Sequence, residues 1–163
     1  MNARKIASVE DVAALYLGPT RPRPTSHWLD GEILSEAPKY IREVIDQINV
    51  TYAHSCFDAC SVMVRRLVET LLVESFEAQK SLSEITNANG DLVTLKHLIE
   101  RSQKTNCFTI SRQTKNALPR LKDIGDWSAH NRRYLGKQSD LDRIQPALRL
   151  ALSDLGHIAG MVR

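Results

Sequence analysis

His130 and Asn131 close the run Gly125-Asp126-Trp127-Ser128-Ala129-His130-Asn131, and no other residues in this chain are better suited to chemistry. Imidazole titrates near neutral pH, so His130 can move a proton or hold a phosphate, with Asn131 orienting the ring. The bland alternative is a helix-end histidine bonded to a backbone carbonyl or to Glu69. The charge around it favours an anion. Between Ser111 and Lys137, Arg112, Lys115, Arg120, Lys122, Arg132, Arg133 and Lys137 face only Asp123 and Asp126. The whole 163-residue chain is only +3, so the rest is net acidic. Arg120, Arg132 and Arg133 are candidate phosphate- or RNA-binding residues, because guanidinium grips phosphate through two parallel bonds. They read equally as a solvated face, or as cations at a helix C-terminus. Trp127 either stacks on a base or plugs a core or dimer contact. Arg66 and Glu69, three apart on a helical stretch, read as an ion pair bordering the His130 groove.

Other chemistries find little support. Cys56, Cys60 and Cys107 lack metal-finger spacing, and His54 beside the first two completes no set of four ligands. Cys56 and Cys60 lie one helical turn apart and read as reduced core cysteines. The seven glycines form no phosphate loop before a helix, so no nucleotide cofactor is expected. A helix-turn-helix DNA reader needs a polar recognition helix after a tight turn, whereas the basic residues here flank a bend. No apolar run is long enough to span a bilayer. The N-terminal residues lack the apolar core of a signal peptide, so the expected location is the cytoplasm and the Asn49-Val50-Thr51 sequon is expected to stay unmodified.

The elements that must position these residues are helices. Sparse aromatics and a Leu, Ala, Val and Ile load favour helix over sandwich. Ser8 to Tyr16 reads as a short helix, and Gly18 to Pro24 as an extended connector bearing Arg21 and Arg23, anchored by Trp28. Pro38 fits the first position of a helix carrying Tyr40, Ile41, Val44, Ile45 and Ile48. A longer helix from about Ser55 to Gln79 presents Cys56, Cys60, Met63, Leu67 and Leu71, broadened by Val64, Val68 and Leu72, against a polar stripe of Asp58, Ser61, Arg65 and Glu69. Asn87 to Asp91 reads as a loop, with Asp91 capping a helix of Leu92, Leu95, Leu98 and Ile99. Ser111 caps a helix with Ala117, Leu118, Leu121 and Ile124 inward, which Pro119 bends and Gly125 breaks or kinks. A last helix runs from about Asp140 to Met161. The expectation is an all-α, up-and-down bundle of four or five main helices. Residues 1–37 form an N-terminal helix and strap, and residues 38–163 the bundle. The apolar breadth of the long and last helices points to a homodimer.

So arranged, the chain resembles the HEPN superfamily, and more closely the bacterial HEPN-like domains of unknown function. Arg66-Leu67-Val68-Glu69-Thr70-Leu71-Leu72 is similar to their R-x-x-E-x-L-L pattern. Lys122-Asp123-Ile124-Gly125-Asp126-Trp127-Ser128-Ala129-His130 is similar to their R-D-[IL]-G-N-x-x-A-H pattern. The likeness covers about residues 38–158. It implies a dimerising bundle that acts on RNA or nucleotide phosphate, in active branches as a metal-independent endoribonuclease. It also implies a stress or phage-defence setting with an antidote or defence partner. In those branches an arginine four to six residues before the histidine steadies the transition-state phosphate. On this likeness His130, Asn131 and Lys122 are the catalytic candidates, with Arg66, Glu69 and Asp126 in support. Asp123, Ile124 and Gly125 stand where the nuclease arginine belongs, Lys122 replaces the arginine of the second pattern, and Asp126 replaces its asparagine. The resemblance therefore implies a degenerate ribonuclease, and the other reading is a non-catalytic interaction and dimerisation module.

Overall fold

The computed structural model describes residues 27–162. It is an all-α bundle of five helices: α1 Lys39–Ala53, α2 Phe57–Ala78, α3 Leu95–Ser102, α4 Arg112–His130 and α5 Gln138–Ile158. Two short 3-10 turns, Gly31–Leu34 and Leu82–Glu84, join in. Among the described residues the only β-type pairing is one antiparallel bridge between Thr86 and Leu92. The helix expected over residues 8–16 and the connector over 18–24 lie outside the described residues.

Helical periodicity places most of the core correctly, because a 3.6-residue repeat of large apolar side chains must turn one face away from water. Ile41, Val44, Ile45 and Ile48 of α1 are buried, as are Ala117, Leu118, Leu121 and Ile124 of α4. The central element is α2, which packs against all four other helices. That position absorbs its apolar breadth, with Cys60, Val64, Leu67, Val68, Leu71 and Leu72 all buried. In α5, Leu148, Leu152 and Leu155 are fully buried in the same core. The width of these two helices thus serves several seams within one bundle, and does not by itself leave an open face for a second copy.

Helix ends differ from expectation for local reasons. Pro38 is the cap of α1, not its first residue, because its ψ of 159° is extended while its carbonyl accepts from the Ile41 N–H. Three residues reverse the chain into α2, with Ser55 at a φ of 60°. Cys56 falls on that turn and is exposed, so the buried stripe begins at Cys60. Burial pushes the Cys60 thiol up to about 11, which leaves it protonated and unreactive. Asp91 does not cap α3. Asn87 Oδ1 accepts from the backbone N–H groups of Asn89 and Asp91, curling the loop on itself. The helix therefore starts at Leu95 after Thr94, and Leu92 is exposed. Ser111 caps α4 as expected, Oγ accepting from Thr114 N–H, while Asp154 of α5 accepts from both residues.

The packed body begins before Pro38. Leu29 and Leu34 are fully buried, and Trp28 stacks on Tyr52 with ring centroids 5.0 Å apart and donates Nε1–H to Asp142. The Asn49 side chain accepts from Leu29 N–H at 2.8 Å and donates to its carbonyl at 2.9 Å, so the sequon amide is part of this join.

Gly125 is the instructive departure. It neither breaks nor kinks the chain into two elements: α4 runs through it to His130. A Cβ there would collide with Arg65 Cβ of α2 and stand 3.0 Å from the Ser61 carbonyl oxygen. The missing side chain is what lets α4 lie against α2.

Candidate anion-binding cleft

Lys122, Asp126 and His130 occupy successive turns of α4 and so form one ridge along it. The close approach at Gly125 sets Arg65 of α2 beside that ridge. Arg65 Nε donates to Asp126 Oδ1 at 2.7 Å, and Lys122 Nζ donates to Asp126 Oδ2 at 2.7 Å. Lys122 also reaches Asp123 at 3.1 Å, and Arg65 reaches Glu69 at 3.3 Å. Burial would raise the Asp126 pKa, but the bonds from Lys122 and Arg65 win and hold it below its ordinary value. The Asp126 bond in turn raises Lys122 against the opposing effect of burial. Two cations thus meet three carboxylates, and the network as a whole is not basic.

This network forms one wall of a shallow cleft of about 510 Å³. The start of α3 forms another, through Thr94, Leu95 and Lys96. No side chain caps α3, since Thr94 Oγ1 is engaged with His97 Nδ1 at 2.9 Å. First-turn N–H groups without a side-chain acceptor carry the positive end of the helix dipole. Lys96 is exposed there and makes no ion pair among the described residues. Across the cleft stand Trp127 and His130. Trp127 is 52% exposed, with a tilted contact to Tyr134 at 5.9 Å. It is not a core plug.

The sequence-derived site divides. Lys122, Asp126, His130 and Asn131 do line one cleft. Asn131, however, does not orient His130: its Oδ1 accepts from Arg133 N–H at 3.0 Å, so it shapes the turn that ends α4. Nor does Glu69 hold His130, since its carboxylate bonds Arg65. The pair on α2 is therefore Arg65 with Glu69, one turn apart, and not Arg66 with Glu69. Arg66 is exposed and lines a neighbouring cleft of about 330 Å³ beside Leu92. Arg132 and Arg133 are exposed on the turn outside the cleft lining. Arg120 lies roughly 200° around α4 from Lys122 and faces elsewhere. Thr94 and Lys96 escaped sequence reasoning, because no motif ties them to residues some thirty positions away. Arg65 carried a signal in its four-residue spacing to Glu69.

Chemically, this arrangement is suited to binding more than to bond cleavage. The ammonium of Lys122, which would have to stand in for the nuclease arginine, is shared between two carboxylates. The larger cleft of about 660 Å³ beside the first 3-10 turn sets Asp30, Glu32, Glu43 and Asp46 against Lys39 and Arg42, and its charge disfavours anions. Among the described residues no helix is long and apolar enough to cross a membrane.

The family described as "Domain of unknown function (DUF4145)" matches residues 46–151, a span that contains every residue lining the cleft. No curated protein and no solved structure matches the chain.

Proposed function

The chain belongs to the DUF4145 family, and on that footing we propose that it is a HEPN-like helical domain that holds RNA or a nucleotide by its phosphate and does not cleave it efficiently. One observation carries the reading: Lys96 and the uncapped start of α3 face the exposed ring of Trp127 and His130 across a single cleft. A helix N-terminus with an unpaired lysine suits a phosphate, and an exposed indole suits the attached base. Stacking of that kind contributes about 1–3 kcal/mol per base. The likeness of Lys122–His130 to the HEPN-like pattern supports the same site. Weak cleavage follows from the Lys122 pairing, because losing a donor to transition-state charge typically costs about 10²–10³ in rate.

Anisotropy of a labelled single-stranded RNA at low salt tests the reading. Lys96→Ala and Trp127→Ala should each weaken binding, the first also flattening its salt dependence. The RNA should remain largely intact without metal. Absence of binding, or binding indifferent to both substitutions, overturns the proposal.

A second reading rests on Leu135, which is 73% exposed on the same turn as the Trp127–Tyr134 contact. An apolar edge there suits a protein partner, and the homodimer and defence partner implied by the HEPN resemblance belong to this reading. Light scattering at twice the monomer mass, lost in Trp127→Ala with Leu135→Ala, would favour it.

A further inference from the structure

We propose that Arg65 and Lys122 form a second phosphoryl-binding subsite, which the protein fills with its own Asp126; the inference rests on the reading of this cleft as a phosphate site. Asp126 presents one oxygen to the Arg65 guanidinium and the other to the Lys122 ammonium, each at 2.7 Å. A phosphoryl group offers the same pair of oxygens, a third besides, and more charge. The seat is accessible, since the side chains of Arg65 and Asp126 are each 30% exposed on the cleft wall. It is also preformed. Glu69 still holds Arg65 and Asp123 still holds Lys122 when Asp126 is neutralised, so both cations keep their places.

The ion pair is not what joins the two helices at this crossing. Gly125 sets the approach of α4 to Arg65 and Ser61, and the neighbouring Leu121 and Ile124 are buried in the core. Asp126 sits on the flank of α4 that borders the cleft, one turn before His130. Its carboxylate therefore acts as a competitor for the ligand's phosphate. The chain as it stands binds through Lys96 and the start of α3, and reaches the second subsite only when a phosphate displaces Asp126. The ligand class that gains from both subsites is a polyphosphate or an oligonucleotide carrying two phosphates, not a lone monoanion.

The experiment compares the full chain with Asp126→Asn, using a short labelled oligouridylate and inorganic phosphate as probes across a salt series. The Asn variant should bind the oligonucleotide about tenfold more tightly at low salt, the effect of roughly one charge-assisted hydrogen bond. Its log affinity should fall more steeply with log salt, by about 0.7 per additional phosphate engaged on a single strand. Adding Lys122→Ala should return affinity and slope toward the starting chain. Circular dichroism and a thermal melt establish that each variant is folded, and Asp126→Ser is read in the same way should the Asn variant not fold. If Asp126→Asn binds no better than the unmodified chain, which itself binds, the second subsite is refuted and the Lys96–Trp127 reading stands. Binding by the variant alone supports the subsite and refutes the reading for the native chain. Binding by neither refutes both.

Discussion

Replacing Gly125 by alanine sets two physical accounts of this residue against each other, with opposite signs. If glycine only weakens an exposed helix, alanine should stabilise the protein by up to about 1 kcal/mol. The structure gives the other sign. The new Cβ would collide with Arg65 Cβ, and would stand 2.9 Å from Arg65 Cδ and 3.0 Å from the Ser61 carbonyl oxygen. Ordinary contact needs about 3.5–4.0 Å, so the helices must separate by something near 1 Å. Arg65 Cβ and the Ser61 carbonyl are fixed to the backbone of the central helix and cannot swing away. Overpacking of this kind costs about 1–3 kcal/mol. Set against the propensity gain, the net expectation is a destabilisation of about 1–2 kcal/mol, or a melting temperature lower by roughly 2–8 °C for a chain of this size. A lower urea midpoint with an unchanged slope would place the effect on stability alone. A variant that melts at or above the unmodified protein would refute the close-approach argument, and with it the placement of Arg65 beside Asp126.

Two further outcomes follow from local geometry. Ser111→Ala removes the acceptor for Thr114 N–H at the start of α4 and should cost about 1 kcal/mol in urea unfolding; an unchanged midpoint would mean that Asp154 alone secures this helix end. Burial, together with carboxylate hydrogen bonds from Glu74 and Asp140, raises Tyr40 and Tyr134 to about 12. A folded pKa above the ordinary value of 10.0 gives stability that is complete below pH 10 and is lost as pH climbs toward 12. Tyrosinate absorbance should therefore rise late, together with loss of helical circular dichroism, and tyrosines all titrating near 10 in the folded protein would contradict it.

The sequence by itself determined the fold class and most of the core, because both depend on a repeat legible within a single segment. Ile41, Val44, Ile45 and Ile48, or Ala117, Leu118, Leu121 and Ile124, announce a buried face wherever the helix ends up. The Ser111 cap was legible for the same reason, since its bond reaches only three residues. The ends of α1 and α3 were not. Whether Asp91 caps a helix or folds into the loop depends on Asn87 taking its N–H first, a competition between two local bonds of similar strength.

The site was legible only in part, and the division follows separation along the chain. Lys122, Asp126 and His130 share a ridge by spacing alone. That Lys122 is neutralised, that Arg65 and not Arg66 joins it, and that Lys96 closes the cleft depend on three helices meeting. Gly125 marks the boundary most clearly. Its composition signals a weak point in an isolated helix, yet in the folded molecule α2 lies where a Cβ would be, and the same missing atom becomes the reason the two helices can touch. Only the tertiary structure decides between those meanings, because steric exclusion by a distant segment leaves no trace in local periodicity.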